Sequence, residues 1–340
     1  KDGSIIQEVE GEWQVGAYNH DTKEWDITTL HRTSVTRKPL DIPFRQPVEV
    51  GKLSFDRKRA DKLGAKTILV FGDEQIGWRR IGDEMLPLHD ISAMAAVHQL
   101  ARNLQPDVVV DLGDTTDLSE LSRFKPDSRH FQNTLQPGLQ TTHDWLASIS
   151  EVTPKAERHI VDSNHWKRFG DYVLNNAGIL AEIPELKLHR LLRLKEIGWQ
   201  FHGGYGSAEY VYNPGPSEIA FKHGTLAAAN GSTAYKLNKE NPDRFIVQGH
   251  QHRRGAEFST DRHGDSFGAF VVGALCHIDG RVPSFHSAID PESDRPVKRF
   301  ENWTQDVLVV KDYGDGNYQF DQVPINNGHI IYEGKHYGNA

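Results

Sequence analysis

The sequence predicts an α/β protein, a large domain of buried strands and helices preceded by a small β-rich appendage. Three observations carry this. Short apolar runs such as Thr67-Ile68-Leu69-Val70-Phe71 and Val108-Val109-Val110 each lead into a Gly-Asp pair, the pattern of strands covered on both faces. Between those two runs lies a segment with apolar residues on one helical face. Residues 1 to 65 have a different texture, polar and turn-rich with scattered aromatics (Trp13, Tyr18, Trp25, Phe44, Phe55), and that texture ends at Lys66.

In the appendage, the alternation in Glu12-Trp13-Gln14-Val15 and Trp25-Asp26-Ile27-Thr28 predicts small hairpins, and Pro39, Pro43 and Pro47 break up the next stretch of chain. In the large domain, residues 66–312, Asp90 is placed to cap a helix whose inner face carries Ile91, Met94, Val97, Leu100 and Leu104. Further strands are expected at Arg158–Val161, Ile219–Phe221, Phe245–Val247, Phe267–Val272 and Val307–Val310. Gly314-Asp315-Gly316 reads as a turn before Tyr318-Gln319-Phe320, and 313–340 as a C-terminal strand and extended tail. The chain begins at Lys1 rather than Met, as expected of a chain trimmed from something longer.

Composition narrows the function. With 37% hydrophobic and 25% charged residues in 340, a folded core is expected. Mean hydropathy is −0.59, and no apolar run approaches the ~18 residues of a membrane span. A single cysteine, Cys276, excludes an intrachain disulfide and fits a reducing, cytoplasmic setting. Thirty-nine basic against 47 acidic residues give net charge −8, which excludes binding nucleic acid by bulk positive charge and leaves a local groove open. The 18 histidines tilt the balance toward metal chemistry.

Five predicted strand ends carry groups that bind metals: Asp73-Glu74-Gln75, Gly113-Asp114-Thr115-Thr116-Asp117, Ser163-Asn164-His165, His223-Gly224 and Gly249-His250-Gln251-His252. Each alone is weak, since a strand-end Asp is often a helix cap and a lone HxH a surface pair. Together, in order, each after an apolar strand, they stand where ligand sites of open α/β sheets lie.

This ordered set, spanning roughly residues 66 to 312, resembles the calcineurin-like metallophosphoesterases, whose signature is D-x-H, G-D-x-x-[DR], G-N-H-[DE], H, G-H-x-H. Gly273-Ala274-Leu275-Cys276 and Asn302-Trp303-Thr304-Gln305 are similar to the phage and prophage branch, with DNA-repair exonucleases as the other comparison. The resemblance implies an αββα sandwich, two packed mixed sheets flanked by helices. It implies two divalent ions, Mn²⁺ first, with Fe, Zn²⁺ or Ni²⁺ as alternatives. Asp73, Gln75, Asp114 and His252 would hold one, and Asp114, Asn164, His223 and His250 the other. A bridging hydroxide would attack phosphorus with His165 as general acid. The expected substrate is a phosphodiester, DNA or RNA among the candidates. A phosphomonoester is the alternative, and a catalytically weak scaffold is the alternative of another class. A phage-encoded member would act in the host cytoplasm, and the oligomeric state is open.

Three departures from the signature matter. Gln75 stands where His is usual and is a weaker donor. Ser163 stands where Gly is usual, which is expected to ask more of the backbone. Trp166 stands where an acid usually orients the catalytic His, and Asp117 or Asp162 is the expected substitute. Trp166 is otherwise a candidate base-stacking residue, with packing the blander reading. Arg123, Arg168, Arg253 and Arg254 are candidates for contacting phosphoryl oxygens. Leu186 to Lys195 is either a basic face toward nucleic acid or a solvated one. Gly203–Gly206 reads as a plain loop, and His277 as structural.

Overall fold

The computed structural model of the chain describes residues 5–37, 64–122, 128–228, 231–283 and 302–338, with 290, 293, 295 and 297 between the last two. The chain divides into two compact units, Lys1–Asp61 and Lys62–Ala340. In the first, β1 (Ile5–Asn19) and β2 (Glu24–Arg37) pair antiparallel into one long hairpin rather than several small ones. Its turn is closed by Asn19, whose side-chain oxygen accepts from the Asp21 and Thr22 amides at 3.0 and 3.3 Å. The three prolines expected to break the next stretch, Pro39, Pro43 and Pro47, lie outside the described residues, as do Phe44, Phe55 and Arg123.

The second unit follows the chain as β3 (Lys66–Phe71), β4 (Trp78–Ile81), β5 (Glu84–Pro87), α1 (Ile91–Leu104), β6 (Val108–Asp111), α2 (Leu135–Val152), β7 (Glu157–Val161), α3 (Asn164–Asn176), α4 (Leu188–Leu191), β8 (Gln200–His202), β9 (Tyr210–Tyr212), β10 (Ile219–Lys222), α5 (Thr233–Glu240), β11 (Phe245–Gln248), β12 (Gly255–Thr260), β13 (Ser266–Val271), β14 (Asp306–Asp312), β15 (Tyr318–Asn326), β16 (His329–Tyr332) and β17 (Lys335–Tyr337). An eight-stranded sheet runs β17-β16-β15-β14-β3-β6-β7-β8, and a five-stranded sheet runs β12-β13-β11-β10-β9. The strands β3, β6, β7 and β8 are mutually parallel, as are β10, β11 and β13, while β14, β12 and β9 are antiparallel to their neighbours.

The period-2 alternation of strand side chains builds the layers. Ile68, Val70, Val108, Val110, Leu308 and Val310 face Phe221, Phe245, Val247 and Phe270 of the other sheet in one apolar cluster. Their neighbours Leu69, Phe71, Val109 and Val309 face the opposite way, onto Val97 and Leu100 of α1 and Leu146 and Ile149 of α2. On the far side of the small sheet, Ile246, Ala269 and Val271 pack on Ala234 and Leu237 of α5. Two mixed sheets packed face to face with helices outside are thus the αββα layering that the resemblance implies.

Asp90 caps α1 as expected, its Oδ1 accepting from the Ser92 and Ala93 amides at 3.0 and 3.2 Å. Met94, Val97 and Leu100 are buried, but Ile91, in the first turn, is 58% exposed. The strand expected after the Gly314-Asp315-Gly316 turn is the start of β15, and the segment expected as an extended tail instead completes β15, forms β16 and β17 and continues the eight-stranded sheet beyond β14. Val323, Ile325, Ile330, Tyr332 and Tyr337 give it a buried face. The Leu186–Lys195 stretch buries Leu188, Leu192 and Leu194 and exposes Lys187, Arg190, Arg193 and Lys195, a solvated basic face. Among the described residues no helix is long and apolar enough to cross a membrane.

Candidate functional site

The sheet architecture brings the five polar strand ends to one place. β3, β6, β7, β10 and β11 all run in the direction that delivers their C-terminal loops to the same edge of the sandwich. The loops are laced together by backbone hydrogen bonds: the Asp73 amide donates to the Gly113 carbonyl at 2.9 Å, and the Gln75 amide to the Asp114 carbonyl at 2.9 Å. Gly113 has φ +92°, and a Cβ there would lie 2.7 Å from the Val161 carbonyl oxygen, so this crossing of two strand ends requires glycine.

Five of the seven expected metal ligands, Asp73, Gln75, Asp114, His250 and His252, have a left-handed backbone, with φ between +46° and +70°. Each such residue costs on the order of 1–2 kcal/mol. Five such residues in one cluster fit the way functional sites hold backbone strain.

The expected ligand atoms fall into two groups. Asp114, His223 and His250 offer oxygen and nitrogen atoms that all lie within 4.8 Å of one another. His223 Nε2 is 3.3 Å from Asp114 Oδ2, 3.1 Å from His250 Nδ1 and 2.8 Å from Asn164 Oδ1. Its other nitrogen, Nδ1, is 2.9 Å from the Leu112 carbonyl, which accepts only if Nδ1 carries the proton. Nε2 is thereby the atom turned to the cluster. In the second group His252 Nε2 lies 3.1 Å from Asp73 Oδ1 and 3.1 Å from the Gln75 side-chain Nε2. Asp73 Oδ2 ties the groups together by accepting from the His250 amide at 2.8 Å.

This donor set fits divalent cations. It contains carboxylate, imidazole and amide donors and no thiolate, the set for Mn²⁺, Fe or Zn²⁺ rather than Cu(I). Burial alone would raise Asp114, but His165, His223 and His250 around it hold its carboxyl well below the usual carboxylate range. Burial would likewise lower His223, yet Asp114 and Asp73 draw a proton onto it and raise it to about 9. The same negative field favours a cation there, which would displace that proton from His223 on binding. Behind the ligands stand two more buried carboxylates. Asp111 accepts from the Gly113 amide and the Thr115 hydroxyl, each at 2.8 Å, and burial raises it to about 7. Glu74 accepts from Trp145 Nε1 at 3.0 Å and is raised well above the usual range, first by burial and then by Asp111.

His165 sits between two carboxylates, its Nε2 3.5 Å from Asp114 Oδ2 and its Nδ1 3.5 Å from Asp117 Oδ1. Burial lowers it to about 3 against the pull of Asp114, and burial raises Asp117 to about 7 against the pull of Arg168. The Ser119 hydroxyl donates to Asp117, and Arg168 Nη1 donates to the Asp117 carbonyl at 3.1 Å. Of the two expected substitutes, Asp117 is the carboxylate that faces His165. Asp162 is engaged elsewhere, accepting from the Ser163, Gly204 and Tyr205 amides.

Two other expectations change. Ser163 carries no backbone strain: its φ is −140° and ψ 168°, and its hydroxyl caps α3 by accepting from the Trp166 amide at 3.5 Å. The substitution supplies a helix cap where conformational cost was expected. Trp166 is 4% exposed, packed in the core and stacked on Phe201 with 5.6 Å between ring centroids. It lies on the far side of α3 from the cleft, so its substrate-binding role gives way to packing.

The cleft itself has a volume of about 290 Å³ and is lined by Gln75, Asp114, Asp117, Asn164, His165, Arg168, His250 and His252, together with Ser119, Ser122, Pro283 and Trp303. Arg253 and Arg254 are not among its lining residues; the Arg254 amide donates to the Thr304 hydroxyl at 2.7 Å instead. Trp303 went unassigned in the sequence. Its ring meets His252 edge-on with 4.0 Å between centroids, held there because the Thr304 amide donates to the His252 carbonyl at 2.7 Å. The signal available was its position immediately before a buried strand, where ligand loops gather.

No protein-family model matches the chain, and no curated protein sequence matches it. Among solved structures it is similar to Vps29 from Entamoeba histolytica complexed with Zn²⁺, at 13% identity over 76% of this chain and 99% of that one, TM-score 0.30. It is also similar to purple acid phosphatase PPD1 from yellow lupin (Lupinus luteus) seeds, at 9% identity over 94% of this chain and 58% of that one, TM-score 0.38. At such values, function rests on the chain's own residues.

Proposed function

We propose that the chain is a metal-dependent phosphoesterase that hydrolyses phosphodiesters. The observation that carries this is the convergence of His223 Nε2, Asp114 Oδ2, His250 Nδ1 and Asn164 Oδ1, with a buried His165 next to it and facing Asp117. Asp114, Asn164, His223 and His250 would hold one divalent ion, and Asp73, Gln75, Asp114 and His252 a second, with Mn²⁺ the first choice. When bound, such a pair polarises phosphoryl oxygens and makes a water acidic enough to ionise near neutral pH.

The protein's own groups do the rest. Arg168 lines the cleft and is fixed by its bond to the Asp117 carbonyl, which places a permanent positive charge where phosphoryl oxygens gather negative charge. His165 gives its Nε2 proton to the departing oxygen. Asp117, kept protonated by burial up to about pH 7, replaces that proton at Nδ1 and is itself reprotonated from solvent after release. Ser119 holds the Asp117 carboxyl in the orientation this requires. Imidazole that is neutral at rest thus works as a general acid because a second acid stands behind it.

The test is metal content by mass spectrometry together with Mn²⁺-dependent hydrolysis of bis-p-nitrophenyl phosphate and p-nitrophenyl phosphate. About two metals per chain and preferred turnover of the diester are expected. Turnover of the monoester alone removes the phosphodiester reading. Absence of metal and of all turnover removes the enzyme.

A further inference from the structure

We infer that the face of α3 leading away from the metal centre is a track for a single-stranded polynucleotide. The inference rests on the phosphodiester reading above and names its substrate. Asn164 opens α3 inside the ligand cluster. Arg168, Tyr172 and Asn175 follow at i+4, i+8 and i+11, one above another on the same helical face. That face borders a recess of about 540 Å³ whose lining includes Ser122, Asn164, Arg168, Tyr172, Asn175 and Asn176. It shares Ser122, Asn164 and Arg168 with the cleft, so the two are continuous.

The chemistry of the stripe fits a polynucleotide. Arg168 suits a phosphate. Tyr172 is 51% exposed, an aromatic ring open to stacking by a base of any identity. The amide side chain of Asn175 can donate and accept at base edges, while Asn176 Nδ2 donates to the Tyr172 carbonyl at 2.9 Å. The acidic member of this face, Asp171, is neutralised by Lys167 at 2.6 Å. At the other end of the cleft the lining is Pro283 and Trp303. A phosphate at the ligand cluster therefore has the recess beside it for a second ester substituent, which a diester carries and a monoester does not. The strand must be single, because a duplex hides the base faces that Tyr172 would stack on. Net charge −8 excludes a bulk electrostatic grip, so contact falls to stacking and to Arg168.

From Asn164 to Asn175 the helix rises roughly 16 Å at ~1.5 Å per residue, the length of about five stacked nucleotides at ~3.4 Å each. The experiment measures kcat/KM of the full chain with Mn²⁺ on oligothymidylates of about two to about eight nucleotides, with bis-p-nitrophenyl phosphate as the base-free reference. Rates on the oligonucleotides should climb with length and level off near about five. Tyr172→Ala should lower the ratio of oligonucleotide to reference kcat/KM by about tenfold, the loss of one stacked base. Tyr172→Phe should keep the ratio, and Tyr235→Ala, an exposed tyrosine on α5, should leave it unchanged. A ratio untouched by Tyr172→Ala, or rates independent of length, overturns the track. Hydrolysis of the reference without hydrolysis of any oligonucleotide overturns the track alone, and failure on both overturns the phosphoesterase with it.

Discussion

The ring of His223 is anchored by the carbonyl of Leu112, the last residue before Gly113, across 2.9 Å. One strand end thus orients a ligand delivered by another, and Nε2 is committed to the cluster before any cation arrives. Preorganisation of this kind predicts tight binding with sharp sensitivity to single ligands. Asp114→Asn and His223→Gln are each expected to weaken Mn²⁺ binding by on the order of 100-fold or more, since even outer partners of ligands cost 10- to 100-fold. Titration calorimetry on chelator-stripped protein measures it. Unchanged affinity in Asp114→Asn would remove that residue from the centre.

The His165–Asp117 pair predicts a separation of metal binding from turnover. His165→Asn should keep its metals and lose about 10²- to 10⁴-fold in kcat, and Asp117→Asn should lose less, because imidazole remains. The loss in Asp117→Asn should deepen as the leaving group becomes a poorer one, because an alkoxide needs the proton that p-nitrophenolate does without. Equal losses across a leaving-group series would show that Asp117 only supports the fold.

Much of this site was legible from the sequence for a physical reason. Strands covered on both faces are written as unbroken apolar runs, and the residue types needed for metal and phosphate chemistry are few, so Asp73, Asp114, Asn164, His223, His250 and His252 stand out where those runs stop. Trp303 did not, because its place beside His252 depends on a hydrogen bond between residues far apart in sequence. For Trp166 packing is the reading that holds rather than base stacking: one step along a helix from His165 turns a side chain to another face, here toward Phe201. The end of β15 and the strands β16 and β17 were hidden because most of their residues are polar or half-exposed, a pattern close to that of a tail.

Stability should depend on pH through His89, which does not line the cleft. Burial lowers it to about 4 from 6.5, against its bond to the Gly77 carbonyl at 3.2 Å. The folded protein holds it neutral while the unfolded chain protonates it below 6.5. Its contribution is therefore complete above pH 6.5 and is lost as pH falls toward about 4. At ~1.4 kcal/mol per pH unit the loss is worth about 3 kcal/mol. His89→Asn, which keeps a donor for the Gly77 carbonyl, should flatten that part of the pH profile. Urea unfolding of chelator-treated protein between about pH 7 and about pH 4 reads it, and parallel profiles for the two proteins would assign the acid sensitivity elsewhere.

Gly113 is the point at which fold and site make the same demand. Its φ of +92° and the 2.7 Å and 2.9 Å that would separate a Cβ from the Val161 oxygen and the Ser163 Cβ leave no room for a side chain, and the atoms in the way are strand backbone and a helix cap. Gly113→Ala is expected to cost about 1–3 kcal/mol. Its carbonyl accepts the Asp73 amide, so the same change should also displace Asp73 and weaken metal binding beyond what a lower melting temperature explains. Gly178→Ala, where φ is ordinary and no atom lies within 4 Å of the new carbon, is the control and should be close to neutral in both. Thermal unfolding with and without Mn²⁺ separates the effects. A Gly113→Ala protein whose melting temperature drops while its gain on adding metal matches that of the unmodified chain would mean that the glycine serves the fold alone.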